Sequence, residues 1–285
     1  MLSAKFDEYK ILIDEYINNY FNMRKSDNKS INAFIDAVLY SYNSGGKRIR
    51  PGIMLMISDL IEIEIRDIMP FAAALEMIHT YSLIHDDLPS MDDDDMRRGK
   101  PTLHIKYNEG VAVLAGDYLL NEASEIILDD IVSSANTMNK LKAFKYLYNS
   151  SGLEGMLGGQ VIDIEDNDSM SKSEVLRMYE QKTAQLFKVS CVIPGYLKGL
   201  ENYKIDKLEE LGKSIGMTFQ LIDDLLDREE DEEIGKTTVL SILGLDETKQ
   251  LIDDYHRKSK ALLVDFGFEN SVLSELINSL VLRSI

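Results

Sequence analysis

Apolar residues recur three and four apart along almost the whole chain, and strict alternation is nearly absent, so the pattern predicts helices with hardly any strand. The clearest stripe is Leu208, Leu211, Ile215, Phe219, Ile222 and Leu226, six positions on one face of a single helix. Phe71 to Ile84 is apolar enough to be a buried helix, whereas Lys5 to Phe21 mixes charge with Phe6, Ile11, Ile13, Tyr16 and Ile17 and reads as a peripheral one. Ser171-x-x-Glu174 is a capping box opening a helix that runs towards Pro194. Gly45-Gly46 lets the backbone turn sharply after a second helix, and Pro51 suits the first turn of the third. Of the prolines at 51, 70, 89, 101 and 194, most fall at expected breaks. Without an internal repeat, a low-complexity linker or a break in composition, the expected architecture is all-α: one domain over residues 1–285, of ten or more helices.

Composition narrows the partners. The chain has 285 residues, 45% of them hydrophobic, which is ample for a large core. With 31 basic and 49 acidic residues its net charge is −18, a balance that disfavours nucleic acid and anionic membranes. An anionic substrate must then be attracted locally, by bound metal and a few placed cations. The single Cys191 lies in an apolar run, reads as a buried inert thiol, and leaves no internal disulfide, consistent with a reducing compartment. Met1 to Lys10 is charged and has no apolar core of a signal peptide, and no uninterrupted apolar run reaches the roughly 18 residues of a membrane span. The expectation is a soluble, cytoplasmic protein without stable membrane insertion.

The chemistry concentrates where the apolar helix after Phe71 ends, in His85-Asp-Asp-Leu-Pro-Ser-Met-Asp-Asp-Asp-Asp-Met-Arg-Arg-Gly99. Pro89 disfavours helix at Leu88, which puts the helix end near Asp87, with Asp86 and Asp87 on the last turn and Asp92 on the loop beyond. Carboxylates clustered at a helix end with arginines beside them suit a hard divalent cation that itself holds a phosphate. A solvated acidic loop accounts for the run equally well when it is taken alone. A second cluster, Asp223-Asp-Leu-Leu-Asp227, closes another apolar helix, and its i,i+4 spacing puts Asp223 and Asp227 on one helical face. Two such clusters facing each other could grip one diphosphate through shared magnesium.

Asp86-Asp87-x-x-x-x-Asp92 followed by Arg97-Arg98-Gly99, with a later Phe219-Gln220-x-x-Asp223-Asp224-x-x-Asp227, resembles the two aspartate-rich motifs of the trans-isoprenyl diphosphate synthases. The four-residue gap between Asp87 and Asp92 is similar to that of the bacterial short-chain members, the farnesyl and geranylgeranyl diphosphate synthases. The resemblance covers nearly the whole chain with its motifs in order. It implies a helical fold around a central cavity, a homodimer, and Mg2+ held by Asp86, Asp87, Asp92, Asp223, Asp224 and Asp227.

It also assigns the cations. Gly45-Gly-Lys-Arg-x-Arg-Pro51 looks like the family's isopentenyl diphosphate site, with Lys47 and Arg50 as contacts; without the resemblance, a solvated basic turn reads equally well, and Arg48 is left with no role. His79 lies two helical turns before Asp86, about 10 Å away. A lone histidine in an apolar helix is usually a core residue, but here it matches the family's isopentenyl diphosphate histidine, while His85 is left structural. Arg97 would serve the allylic diphosphate and Arg98 the isopentenyl one, with Asp93, Asp94 and Asp95 outer or solvated. Tyr81, five residues before Asp86, is where the family places an aromatic floor under a fifteen-carbon product, although it reads equally as ordinary core. Val113-Leu-Ala-Gly-Asp117 is expected to pack, followed by an unexpectedly bulky Tyr118.

Further on, Gly155-Met-Leu-Gly-Gly-Gln160-x-x-Asp163 suggests a close backbone approach or room for substrate, since glycine within a helix costs about 1 kcal/mol relative to alanine. Gln160 and Asp163 would orient the metal shell from outside it. Lys182 matches the family's cavity lysine for the allylic diphosphate, and Thr183 and Gln220 would flank the developing allylic cation. The departure from the family follows Asp227, where Arg228-Glu-Glu-Asp-Glu-Glu-Ile-Gly235-Lys236-Thr-Thr238 carries one Gly-Lys in place of a longer lid with two lysines. Lys236 is the remaining candidate for closing over the allylic diphosphate.

The implied activity is a Mg-dependent prenyltransferase that joins isopentenyl diphosphate to dimethylallyl or geranyl diphosphate, giving farnesyl diphosphate by 1'-4 head-to-tail coupling. Geranylgeranyl diphosphate synthesis is the alternative, as is a non-catalytic partner subunit of a longer-chain synthase, which only the shortened lid favours. A terpene cyclase fits less well, because such enzymes carry Asn/Asp-x-x-Ser/Thr-x-x-x-Glu where this chain has Asp-Asp-x-x-Asp.

Overall fold

The computed structural model describes residues 4–165, 170–229 and 237–282. In order these form α1 (Ala4–Met23), α2 (Lys29–Tyr42), α3 (Ile49–Leu60), α4 (Ile65–Asp86), β1 (Met96–Arg97), β2 (Lys100–Pro101), α5 (Leu103–Lys106), α6 (Glu109–Ser133), α7 (Thr137–Ser151), α8 (Met156–Ile164) and α9 (Lys172–Tyr179). A single π-helical turn (Glu180–Ala184) follows, then α10 (Gln185–Lys198), α11 (Asn202–Leu226), α12 (Val239–Leu243), α13 (Leu245–Phe266) and α14 (Val272–Val281). The all-α expectation holds. Among the described residues no helix is long and apolar enough to cross a membrane.

By internal packing the chain forms two compact units. The first comprises Asp7–Leu55 and Glu64–Thr137; the second comprises Met1–Phe6, Met56–Ile63 and Met138–Ile285. In the first, α4 packs along α6. Helix α4 is buried on nearly every side from Ile68 to Ile78, as its all-round apolar sequence predicts. Along α1, Phe6, Tyr9, Ile13, Ile17 and Phe21 form one buried stripe, leaving Ile11 exposed on the other face. Pro70 and Pro194 do not mark breaks but sit inside α4 and α10. Each removes one backbone hydrogen bond, and both residues are buried in helices that packing holds together. The hairpin β1–β2 is not visible in the periodicity: its strands are two residues long, joined by Arg98-Gly99 with both φ angles positive (54° and 76°), the signature of a type I' turn.

In the second unit α11 packs against α10 and α13. Its predicted stripe is buried at Leu208, Leu211, Ile215 and Ile222, while Leu226, at the helix end, is 54% exposed. The capping box at α9 forms as read, the Ser171 amide donating to Glu174 Oε2 at 2.8 Å. The helix it opens runs towards Pro194 as read, passing through the π turn on the way. Cys191 is fully buried, and burial pushes its thiol pKa up, away from reactivity.

Candidate active site

At the end of α4 the chain folds back on itself. The Asp92 amide donates to the Asp86 carbonyl at 2.9 Å, and the Asp93 amide to the Leu88 carbonyl at 3.1 Å, with Asp93 in the left-handed region (φ 55°). This return ties Asp92 to Asp86 through the backbone, Asp86 being half-buried and Asp92 exposed. Asp87 goes the other way. It is 5% exposed, and Arg97 donates to it through Nε at 2.5 Å while reaching Asp94 through Nη2 at 2.8 Å. Burial pushes the Asp87 carboxyl up to about 6 against the pull of Arg97. Asp87 is thus an inward partner of Arg97.

The basic turn lies in the same unit. Lys47 is exposed, and Arg50 Nη1 lies 3.3 Å from His79 Nε2. Burial, together with Arg50 and the neighbouring Arg98, Arg48 and Arg97, holds the His79 pKa well below 6.5, so the ring is neutral and Nε2 accepts from Arg50. Arg98 Nη1 donates to the Gly45 carbonyl, which joins the hairpin to the turn. Two of the predicted isopentenyl diphosphate residues thus meet directly, and a third grips the loop that carries Lys47. Tyr81 stands edge-on to His85, ring centroids 5.9 Å apart, and His85 Nε2 donates to the Val113 carbonyl at 3.2 Å. The His85 ring seats against Gly116, where a methyl group would fall 2.0 Å from Nε2. Gly116 and His85 are therefore packing residues, as read from the sequence, and Tyr118 fills its place by packing on Phe21 and Phe34 at 5.9 and 5.5 Å.

The second unit gathers its candidates around the π turn. Lys182 Nζ pairs with Asp163. Thr183 Oγ1 donates to Gln220 Oε1 at 2.7 Å, and Gln220 Nε2 donates to Asp224 Oδ1 at 3.2 Å. The other Asp224 oxygen accepts from the Tyr179 hydroxyl at 2.7 Å, which itself accepts the Val239 amide at 3.2 Å. Asp224 is 3% exposed and held on both oxygens, an inward partner as Asp87 is. Asp223 is half-buried and Asp227 exposed, the latter closing α11 through its amide to the Asp223 carbonyl at 2.9 Å. Gln160 is half-buried in the middle of α8. Lys236 and the acidic run before it from Glu230 lie outside the described residues.

Close backbone approach builds this half. A methyl on Gly159 would fall 2.3 Å from the Lys182 amide nitrogen, one on Gly212 2.4 Å from Lys188 Cα, and one on Gly216 2.5 Å from Ala184 Cα. Glu180, the first residue of the π turn, receives Lys188 Nζ on Oε1 at 2.5 Å and Lys213 Nζ on Oε2 at 2.6 Å. Burial works against its charge, but the two lysines win and hold its carboxyl below the usual range. The sequence reading missed Tyr179, Glu180, Lys188 and Lys213. No local signal marks them, since their partners are set by tertiary packing. Among the described residues no three Asp, Glu, His or Cys side chains converge on one point as a metal nest.

The family profile named polyprenyl synthetase matches residues 32–246. The chain is 37% identical to the farnesyl diphosphate synthase of Micrococcus luteus, covering 99% of this chain and 98% of that protein. It is 40% identical to a chloroplastic geranylgeranyl pyrophosphate synthase of Capsicum annuum, over 85% of this chain and 68% of that one. The crystal structure of a geranyltransferase from Legionella pneumophila superposes with a TM-score of 0.90 at 31% identity, covering 98% of this chain and 96% of that one.

Proposed function

The chain belongs to the polyprenyl synthetase family and is a prenyltransferase, and on that premise we propose that it condenses isopentenyl diphosphate with dimethylallyl and geranyl diphosphate to give farnesyl diphosphate. The reading takes residues 1–285 as one synthase domain, cytoplasmic and homodimeric. The observation that carries it is the sorting of the aspartates. In each motif one carboxylate is buried on protein partners, Asp87 on Arg97 and Asp224 on Tyr179 and Gln220. The others, Asp86 with Asp92 and Asp223 with Asp227, stay half-buried or exposed at a helix end. Carboxylate oxygens in such positions fit a hard divalent cation, so these four residues would hold Mg2+.

When bound, the metal neutralises charge developing on the leaving diphosphate. The chain's own residues do the rest. Lys182 and Lys236 add positive charge for the allylic diphosphate, and Arg97 adds more from its place on Asp87. The bond between C1 and oxygen breaks with its electrons leaving on diphosphate. Thr183 and Gln220, already hydrogen-bonded to each other, present oxygen dipoles to the allylic cation. Lys47, Arg50, His79 and Arg98 hold isopentenyl diphosphate, whose double bond attacks C1 to form the 1'-4 bond. The released diphosphate accepts the proton then lost. Tyr81 closes the floor of the hydrocarbon pocket.

Purified protein given magnesium, isopentenyl diphosphate and dimethylallyl diphosphate should yield a fifteen-carbon product by mass spectrometry. A twenty-carbon product would favour the geranylgeranyl reading, and no turnover by the protein alone would favour a partner subunit. Tyr81→Ala should lengthen the product; an active variant with unchanged product length would remove Tyr81 as the ruler.

A further inference from the structure

Arg48 is the most deeply buried cation of the Gly45–Arg50 segment. It is 4% exposed, and its backbone is left-handed at φ 51°, a conformation that a bulky residue adopts only when its surroundings impose it. Its guanidinium donates through Nε to Asp14 Oδ1 at 2.7 Å, through Nη1 to Glu76 Oε1 at 3.0 Å and to the Gly45 carbonyl at 3.2 Å, and through Nη2 to the Tyr42 carbonyl at 2.8 Å. It also lies over the Tyr42 ring, 4.0 Å from the centroid, and the Tyr42 hydroxyl donates to the same Asp14 oxygen at 2.8 Å. One side chain therefore joins α1, the end of α2 and α4 to the turn between α2 and α3.

Such a residue is a poor phosphate ligand, because its donors are already committed to buried protein acceptors. Its consequence falls on its neighbours. Lys47 precedes it, and Arg50, two residues later, contacts His79, which lies one turn beyond Glu76 on α4. Gly45 offers its carbonyl to Arg98 as well as to Arg48, so two guanidiniums hold the turn. A methyl on Gly46 would fall 2.6 Å from Arg98 Nη1 and 2.9 Å from Arg48 Nη1, and its φ of 131° is one that L side chains rarely adopt.

We infer that Arg48, through its bonds to Asp14, Glu76 and the Gly45 carbonyl, is a positioning residue for the isopentenyl diphosphate site, fixing the turn that presents Lys47 and Arg50. This inference rests on the substrate assignment made above. Lysine at 48 keeps the charge but has no fork with which to reach Asp14, Glu76 and the Tyr42 carbonyl together.

The test is steady-state kinetics of the full chain with Arg48→Lys and, separately, Asp14→Asn, each first checked for folding by circular dichroism and thermal melting. Arg48→Lys should raise KM for isopentenyl diphosphate roughly tenfold while kcat and the allylic KM stay within about twofold. Asp14→Asn, on a different helix, should move the same constant in the same direction by less. A folded Arg48→Lys with unchanged isopentenyl KM, or with both KM values rising together, overturns the inference. Should Arg48→Lys fail to fold, Asp14→Asn decides by the same criterion. Calorimetry of isopentenyl diphosphate binding to the wild type and both variants separates the two readings. A wild type that binds but makes no prenyl product sinks the condensation reading and leaves the Kd ratio to judge Arg48, whereas a wild type that does not bind sinks both.

Discussion

In the first unit the candidate residues are held by charge set against charge; in the second they are held by backbone set against backbone. Arg48 sits on Asp14 and Glu76, Arg97 on Asp87 and Asp94, and Arg98 on a carbonyl oxygen, so each arginine takes its direction from an oxygen partner. Around the π turn the positioning devices are Gly159, Gly212 and Gly216, where neighbouring chain passes too near for a side chain. A chain of hydrogen bonds from Thr183 through Gln220 to Asp224 and Tyr179 completes that half. The first arrangement fails when a charge is lost. The second tolerates little volume at all.

Substitutions can break this contrast. The largest effect expected is that of Asp86→Ala, which on the proposed metal assignment should lower kcat about a thousandfold and leave the fold intact by thermal melting. Near-normal turnover would remove Asp86 from the metal set. Next comes Gly159→Ala, whose methyl meets the Lys182 amide nitrogen at 2.3 Å and Cα at 2.7 Å, backbone atoms that cannot rotate away. It should cost about 2–4 kcal/mol in a denaturant titration. Gly99→Ala in the first unit meets nothing within 4 Å and suffers only its φ of 76°, about 1 kcal/mol. Equal losses at the two glycines would erase the distinction between the units.

The smallest effect concerns His79. Its folded pKa lies well below 6.5, so the folded chain keeps the ring neutral where the unfolded chain takes up a proton. Its contribution to stability is therefore fully present above about pH 6.5 and is lost as the pH falls from there. His79→Gln should flatten the decline in urea midpoint between about pH 6.5 and 5, and change stability at neutral pH by less than about 1 kcal/mol. An unaltered decline would mean that burial and the arginines around His79 do not depress its protonation.

The first unit is the more legible of the two in the sequence. The end of α4 follows from Pro89, the turn before α3 from Gly45-Gly46 and Pro51, and the buried character of α4 from its unbroken apolar run. What escapes is which member of an adjacent pair faces inward. Neighbouring residues on a helix are about 100° apart, so one of Asp86 and Asp87, and one of Asp223 and Asp224, must turn towards the interior, yet the letters are identical. Arg48 escapes because Asp14 and Glu76 lie far from it along the chain. The hairpin escapes because arginine is not a residue expected at positive φ. The π turn escapes because nothing in Glu180-Gln-Lys-Thr-Ala184 marks it. Glycines on α8 and α11, and lysines on α10 and α11, are what press against it and tie it.

That turn has a further consequence, best put as phase. A π-helical turn carries one residue more than the α-helical turn it replaces, so α9 and α10 are read in different frames around their common path. Removing one residue between Glu180 and Ala184 would leave a better-formed helix, with every later side chain rotated by about 100° relative to the earlier ones. Tyr179, before the turn, could then no longer meet Asp224 while Gln185, after it, meets Ser150. The stretch is thus a position where a shorter chain is locally the more regular one, and the extra residue is retained for the directions it gives to its neighbours.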